Sequence, residues 1–179
     1  MSRFARGEAA AFELLYRRHE SRVWRYLIRH VGNHAIAEEL TQEVWFAVAR
    51  DAARYKPSAR FTTWVFTLAH NRMVDSFRAR RPTQSLNAPD NESGTTLRQL
   101  AASSGAEPFA AAVANDQLAA LLNALHQLPP EQREAFVLQV EGDCSIDDIA
   151  AITGTSFETA KSRLRYARTK LRELLKEHL

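Results

Sequence analysis

The chain has 179 residues, of which 45% are hydrophobic and 25% are charged. These values are typical of soluble globular proteins and exclude a large multidomain enzyme, a fibrous repeat and a largely disordered chain. No apolar run approaches the roughly 18 residues of a membrane-spanning helix, and the first residues contain no apolar signal core. We therefore expect a cytoplasmic protein without membrane insertion, whose single cysteine, Cys144, is a buried small side chain.

Charge is unevenly distributed, although the formal net charge is only +3. Residues 1–81 carry 15 basic and 8 acidic side chains, residues 82–118 carry 1 and 4, and residues 119–179 carry 8 and 9. Within the last segment, residues 119–160 hold 1 basic and 7 acidic side chains, whereas residues 161–179 hold 7 and 2. This asymmetry predicts separate surfaces for separate partners, at least one of which is a polyanion.

Composition divides the chain into three parts. Apolar residues recur at helical spacing in residues 1–82 and 118–179, whereas residues 83–117 are rich in Pro, Gly, Ser, Thr, Asn and Ala. The sequence therefore predicts an all-α protein with two small helical domains, 1–82 and 118–179, joined by a flexible acidic linker over 83–117.

The first two helices of the N-terminal domain are predicted to be separated by a break at Gly32-Asn33. The second covers about residues 35–50, and its outer face combines acidic and aromatic side chains. Its members are Glu38, Glu39, Gln42, Glu43, Trp45 and Phe46. One interpretation is a solvated face with Trp45 or Phe46 tucked into the core; the other is a docking face for a basic partner helix.

The third helix follows Pro57 and is expected to bury Phe61, Trp64, Val65, Leu68 and Phe77. Its outer ridge consists of Thr63, Thr67, Asn71, Asp75 and Arg78. The neighbouring rings are Trp64, Phe66 and His70, and two further arginines at the end of the segment are Arg80 and Arg81. Hydroxyl, amide and guanidinium groups beside aromatic rings are suited to binding unpaired bases. A polar solvated ridge is the alternative.

The C-terminal domain is predicted to contain a helix-turn-helix. Ser145 is placed to cap the first of its two helices, Gly154 to make the turn, and Thr155 or Ser156 to start the second, with Thr155 and Glu158 spaced as a capping box. Base-edge candidates at the start of the second helix are Ser156, Glu158, Thr159 and Ser162. Phosphate candidates are Lys161, Arg163, Arg165 and Arg168.

Four motifs, in chain order, resemble the extracytoplasmic-function (group four) sigma factors of bacterial RNA polymerase. Residues 37–45 read AEELTQEVW, residues 61–71 read FTTWVFTLAHN, residues 128–136 read LPPEQREAF and residues 159–168 read TAKSRLRYAR. They are similar to the family's polymerase-docking helix, promoter-melting helix, C-terminal-domain opening and recognition helix. Two positions depart from the family pattern: Glu158 stands where a glycine is frequent, and Ile36 where an acidic residue is common.

The resemblance implies an alternative sigma factor, an initiation subunit with no catalytic site, metal or cofactor. Its partners would be core RNA polymerase, through the β′ clamp helices and the β flap, promoter DNA as duplex and melted strand, and an anti-sigma factor. The polymerase-binding residues would be Glu38, Glu39, Gln42, Glu43, Trp45 and Phe46. The minus-ten residues would be Arg60, Thr63, Trp64, Thr67, His70, Asn71, Arg72, Asp75, Arg78, Arg80 and Arg81. The minus-thirty-five residues would be Ser156, Glu158, Thr159, Lys161, Ser162, Arg163, Arg165 and Arg168.

Two other function classes are compatible with parts of the pattern. A helix-turn-helix regulator that binds an operator without polymerase would explain the C-terminal domain, but neither the acidic face nor the arginine-rich third helix. A metalloenzyme could use His30 and His34, but Gly32-Asn33 interrupts the helix between them and no further ligand stands at suitable spacing.

Overall fold

The computed structural model describes residues 1–55, 60–80 and 108–176, with the backbone alone over 108–115. Within these ranges every regular element is helical, which confirms the all-α prediction there. The elements are α1 (Ser2–Ala5), α2 (Ala9–Val31), α3 (His34–Arg50), a 3-10 turn (Ala52–Arg54), α4 (Phe61–Arg80), α5 (Pro108–His126), α6 (Pro130–Gly142), α7 (Ile146–Thr153) and α8 (Phe157–Leu174). None of the described helices combines the length and apolarity needed to cross a membrane.

The N-terminal unit is built from α2, α3 and α4, and the predicted break separates the first two. Gly32 adopts a left-handed conformation (φ 66°) that ends α2, and the Asn33 side chain accepts a hydrogen bond from the Ile36 amide to begin α3. Two expectations for α4 were wrong. Phe66, expected to offer a ring for stacking, is fully buried. Phe77, expected to be buried, lies at the end of the helix beyond most of the packing and is 44% exposed.

The predicted linker differs from the structure at its C-terminal end. Residues 83–107 lie outside the described residues, but α5 begins at Pro108, ten residues before the predicted domain boundary. Pro108 occupies the first helical position, where its missing amide hydrogen costs nothing, and several alanines follow it. High helix propensity therefore outweighed the linker-like composition.

The C-terminal unit contains the predicted helix-turn-helix, α7 and α8. Ser145 and Asp148 form a reciprocal capping box at the start of α7, and Gly154 (φ 64°) makes the turn. Ser156, rather than Thr155, caps α8, because its hydroxyl accepts a hydrogen bond from the Thr159 amide. The inner stripe of α8, Ala160, Leu164, Ala167 and Leu171, is buried as expected.

The two units pack directly against each other. Helix α6 lies against α2 and α4, and α7 lies against α4, so that the buried apolar residues form one continuous cluster. Gly142 at the end of α6 makes this approach close, because a Cβ there would lie 3.4 Å from the Phe66 ring and 2.5 Å from the Cys144 sulfur. The sequence carries no local signal of this contact.

Candidate functional site

The outer face of α3 forms an acidic surface made of Glu38, Glu39, Gln42, Glu43 and Phe46. All five side chains are exposed, and Phe46 is 75% exposed, which is unusual for so large an apolar ring. Its carboxylates have few partners: Glu38 lies 3.3 Å from the His34 ring, and Glu43 lies 3.9 Å from Arg72. The surface therefore presents free negative charge around one solvent-exposed aromatic ring.

Trp45 does not belong to the acidic surface to which the resemblance assigned it; it is tucked into the core, as one of the two interpretations of this face allowed. It is only 4% exposed and packs against Phe12 and Tyr16, with ring centroids 5.9 and 4.9 Å away. These two rings belong to the N-terminal part of α2. Helical periodicity within α3 does not show which other helix packs against it, so it could not predict that the Trp45 side chain is buried.

The predicted minus-ten side chains on α4 divide into two groups. The first group remains open to solvent: Asn71, Asp75 and Arg78 are exposed, and Arg72 is partly exposed beside the acidic surface. Trp64 is half-buried between Tyr55 and Phe61, with centroid distances of 5.2 and 6.0 Å, and retains an accessible part. Thr67 is half-buried and donates its hydroxyl to the Thr63 carbonyl, Arg80 is half-buried, and Arg81 lies outside the described residues.

The second group, Arg60, Thr63 and His70, contacts the C-terminal unit, which covers Thr63 and His70 and leaves Arg60 exposed. Arg60 donates to the carbonyl and the carboxylate of Asp143, each at 3.1 Å. The Thr63 hydroxyl donates to Asp148 at 2.6 Å, and the His70 ring pairs with Glu134 at 2.6 Å. The structure thus brings three predicted DNA-binding side chains against three carboxylates.

Glu134 is the centre of a buried polar network between the units. Its Oε1 atom accepts from the Tyr26 hydroxyl and from His70, both at 2.6 Å. Burial alone raises the pKa of the Glu134 carboxyl, but the hydrogen bond and charge of His70, together with the Tyr26 hydrogen bond, outweigh it and hold the pKa below its ordinary value. Glu134 is therefore ionised, and it receives charge-assisted hydrogen bonds from the other unit.

His30 lies beside this network and is held neutral. Its Nδ1 donates to the Tyr26 carbonyl at 2.6 Å, and among the described residues no polar group reaches its buried Nε2. Burial lowers the pKa of His30 to about 4. A second proton on Nε2 would have no acceptor, so the ring is uncharged in the folded chain.

Glu141 makes a second cross-unit cluster, which we call the latch. Its carboxylate forms ion pairs with Arg25, at 2.9 Å, and with Arg29, and its backbone carbonyl accepts from Arg22. The Glu141 side chain is 6% exposed, that of Arg29 is 14% exposed and that of Arg25 is 35% exposed. Sequence reasoning missed all four latch residues, because the partners lie more than 100 positions apart.

One exposed flank of α8, beside its buried stripe, is a cationic surface. Lys161, Arg165 and Arg168 are exposed and Arg163 is half-buried. Lys161 lies over the Phe157 ring and Arg165 over the Tyr166 ring, and Arg168 donates to Gln139 at 2.6 Å. Lys161, Arg165 and Arg168, spaced three and four residues apart, therefore share one exposed side of the helix, and Arg163 lies on the other flank of the buried stripe.

The predicted base-edge candidates lie at the start of the same helix. Ser156, Glu158 and Thr159 are exposed, and Ser162 is half-buried. Ser156 caps the helix and its hydroxyl lies 2.8 Å from the Thr159 hydroxyl, and the Ser162 hydroxyl donates to the Glu158 carbonyl, so Glu158 is the one of the four whose side chain takes no part in these hydrogen bonds. Glu158 also lies 3.7 Å from Lys161. Among the described residues no His, Cys, Asp and Glu side chains are grouped so as to hold a metal ion.

Comparison with protein families gives two matches in this chain. The model for Sigma-70 region 2 matches residues 15–83, and the model for Sigma-70 region 4 matches residues 118–171. RNA polymerase sigma factor CarQ of Myxococcus xanthus is 37% identical over 99% of this chain and 96% of that protein. ECF RNA polymerase sigma factor SigL of Mycobacterium tuberculosis is 32% identical over 97% of this chain and 93% of that protein.

The fold is shared with solved structures, among them RpoE and CnrH. The sigma factor RpoE, in complex with the anti-sigma factor NepR from Bartonella quintana, matches with a TM-score of 0.71 and 25% identity over 93% of this chain and 97% of that one. CnrH, in complex with the cytosolic domain of CnrY, matches with a TM-score of 0.67 and 23% identity over 98% of this chain and 94% of that one.

Proposed function

The chain belongs to the extracytoplasmic-function sigma factors of bacterial RNA polymerase, and on that premise we propose which of its surfaces binds which partner. As a member of this family it is an alternative sigma factor that binds core polymerase and directs promoter-specific initiation. We infer further that it acts in the cytoplasm as an initiation subunit without a catalytic site of its own. Residues 1–82 carry polymerase docking and minus-ten recognition, and residues 118–179 carry minus-thirty-five recognition.

The acidic surface of α3 docks on a basic helical surface of the core enzyme, the β′ clamp helices. Four exposed side chains, three of them carboxylates, surround the exposed Phe46 ring. Protein interfaces commonly centre on an aromatic side chain that loses its water on binding and is surrounded by charges complementary to those of the partner. Trp45 contributes from beneath, because it packs α3 on α2 and so holds the surface in place.

The exposed part of α4 binds the melted minus-ten strand. Trp64 and Asn71 are two helical turns apart and therefore lie on one side of the helix, where an aromatic ring and an amide can stack on and hydrogen-bond to an unpaired base. Arg72 and Arg78 stand near enough on the same helix to meet phosphates, as do Arg60 and Arg80 at its ends. Thr63, Thr67, His70 and Asp75 complete the proposed set.

The cationic surface of α8 binds the minus-thirty-five element as duplex. The first turns of the second helix of a helix-turn-helix reach base edges in the major groove, while flanking cations meet phosphates. Glu158 and Thr159 are the proposed base readers, with Ser156 and Ser162, and Lys161, Arg163, Arg165 and Arg168 are the proposed phosphate ligands. We propose that the β flap of core polymerase binds a different surface of the same domain, away from the start of α8.

One observation carries the proposal: a single chain displays a free acidic surface on α3 and a cationic surface on α8. An operator-binding regulator needs only the second of them. RpoE of Bartonella quintana is bound to an anti-sigma factor in its solved structure, and we propose that an anti-sigma factor also regulates this chain.

The test is transcription of fragmented genomic DNA by purified core polymerase with and without this chain, with the 5′ ends of the transcripts sequenced. We expect a small set of new start sites that share two upstream elements. The proposed function would be refuted if the chain bound DNA equally well with and without core polymerase and produced no new start sites when core polymerase was present.

A paired variant tests the docking surface. Glu43→Lys should weaken capture of the chain by immobilised core polymerase, because it places a cation where a basic surface docks. Glu13→Lys is the matched control: it changes the charge equally at an exposed glutamate of α2, which pairs with Arg17. Equal loss of capture in both variants would contradict a specific role for the acidic surface.

A further inference from the structure

We propose that Phe157, a residue outside the set assigned above, reads a thymine of the minus-thirty-five element through the 5-methyl group of that base. This inference rests on the function proposed for α8 and deepens it, because it names a base and the chemistry that selects it. The polar side chains at the start of α8 distinguish donors from acceptors on base edges. The thymine methyl group is read instead by apolar contact, for which phenylalanine is suited.

Phe157 is the first residue of the helix that enters the major groove. The turn at Gly154 ends α7, Ser156 is the N-cap, and α8 begins at Phe157. In a helix-turn-helix the N-terminal residues of the second helix meet base edges. Phe157 therefore lies directly beside Glu158 and Thr159, the proposed base readers, and shares their access to the groove.

Neither packing nor helix formation accounts for a phenylalanine at this position. The residue is 41% exposed, whereas the members of the buried stripe of α8 are at most 4% exposed. Phenylalanine has a lower helix propensity than alanine, and its side chain has no polar atom with which to satisfy the free amides of the first turn. The ring therefore contributes little to the start of α8, and its exposed apolar surface remains available for a contact with DNA.

Lys161 holds the ring and balances the neighbouring carboxylate. It stands four residues after Phe157 and three after Glu158, so the three side chains are neighbours on the helix surface. Its Nζ lies 5.8 Å from the centroid of the Phe157 ring and 3.7 Å from the Glu158 carboxylate. The cation reduces the repulsion between Glu158 and the DNA phosphates, and it restricts the orientation of the ring. Lys161 is thus a positioning residue for Phe157 as well as a proposed phosphate ligand.

The methyl contact can be separated from every other contact in the groove. Uracil presents the same major-groove acceptor as thymine and lacks only the methyl group, so an exchange of one base for the other leaves the hydrogen bonds unchanged. Removing one methyl group from an apolar contact should weaken binding by about fourfold. A side chain that makes this contact must also be the one that gives the difference between the two bases.

The test uses the full-length chain bound to core polymerase, on the promoter of the most abundant transcript found by sequencing the new start sites. Synthetic duplexes of that promoter carry deoxyuridine in place of one thymine at a time, on either strand of the upstream element, and their affinities are compared by competition in a gel-shift assay. With the wild type we expect one thymine position at which uracil weakens binding by about fourfold. Phe157→Ala should weaken binding to the thymine duplex by a similar factor and should no longer distinguish uracil at that position.

Tyr166→Ala is the matched control. It removes another exposed ring, 53% exposed, from the opposite side of α8 two and a half turns later, and it should keep the wild-type ratio of thymine to uracil affinity whatever its effect on overall binding. Phe157→Leu retains an apolar side chain and should keep part of that ratio, which distinguishes a lost contact from a damaged helix start.

The inference is overturned if no thymine of the upstream element is sensitive in the wild type, if Phe157→Ala keeps the full ratio, or if Tyr166→Ala loses it equally. New start sites without any thymine sensitivity would remove this inference and leave the proposed function standing. If no new start sites appear with core polymerase, the proposed function itself fails, and the role of Phe157 fails with it.

Discussion

Acidification from pH 7 to pH 5 should destabilise the folded chain, and two buried histidines should account for most of the loss. Burial lowers the pKa of His30 from 6.5 to about 4, and its Nε2 has no partner among the described residues to accept a second proton's hydrogen bond. Burial, reinforced by the charges of Arg22 and Arg18, likewise lowers the pKa of His19 to about 4. Both rings are therefore neutral in the fold at pH 5 and protonated in the unfolded chain.

The sign and size of the effect follow from proton linkage. Between the unfolded pKa and the folded one, the unfolded chain binds one more proton at each histidine, so the free energy of unfolding falls as the pH falls. For a pKa lowered from 6.5 to about 4, the loss between pH 7 and pH 5 is about 2 kcal/mol per histidine. Two such losses are a large share of the roughly 5–15 kcal/mol that holds a typical domain together. Glu134 does not contribute to this loss, because a carboxyl whose pKa is lowered in the fold stops stabilising it only when the pH falls below the ordinary pKa of 4.5.

The assay is guanidinium unfolding followed by far-ultraviolet circular dichroism at several values between pH 5 and pH 7, for the wild type and for His30→Asn. Asparagine can still donate to the Tyr26 carbonyl but cannot be protonated in this range. The variant should therefore lose a little under half of the pH dependence, whatever its stability at pH 7, and His19→Asn should remove a similar share; burial also lowers the pKa of His126, which supplies a smaller remainder. The reasoning fails if the wild type is equally stable at both ends of the range, or if His30→Asn keeps the full dependence.

Three further changes test single elements. Tyr26→Phe removes a buried hydrogen bond to the ionised Glu134 and should lower the free energy of unfolding by about 1.5–3 kcal/mol, measured with guanidinium at pH 7; a change below about 0.5 kcal/mol would contradict an ionised carboxylate there. Ser145→Ala removes the cap of α7 and should cost about 1 kcal/mol in the same assay, and no loss would mean that Asp148 alone suffices. Arg165→Ala should weaken duplex binding across sequences and reduce the salt dependence by about one counterion; a change at one base position only would make Arg165 a base reader.

Much of the fold could be predicted because its determinants are local. Gly32 and Gly154 end helices in the left-handed conformation, Asn33 and Ser145 start helices by capping, and each of these signals acts within four residues. The buried stripe of α8 follows from spacing alone. The prediction was less good where two local signals competed, as at residues 108–117, where alanines after Pro108 favoured a helix over a linker.

The positions of the site residues were predicted less completely, because exposure depends on what packs against a helix. Trp45 and Phe46 are neighbours in sequence, yet Trp45 is buried against rings from α2 and Phe46 is exposed. The resemblance assigned both to the docking surface, and although one of them could be expected in the core, periodicity gave no means of telling which. Thr63 and Asn71, both assigned to DNA, likewise differ in whether the C-terminal unit covers them.

The sequence by itself determined most of the helices and several of their caps, the helix-turn-helix and the family, since short-range backbone chemistry and characteristic motifs specify these. Only the tertiary structure decided how the uneven charge is used. The seven acidic residues of 119–160 and the five arginines of α2 contribute opposite charges to a total of only +3. They also meet in space, as Glu141 with Arg25 and Arg29. Ion pairs between residues more than 100 positions apart leave no periodic trace in a sequence, because nothing but the packing of the two units brings them together.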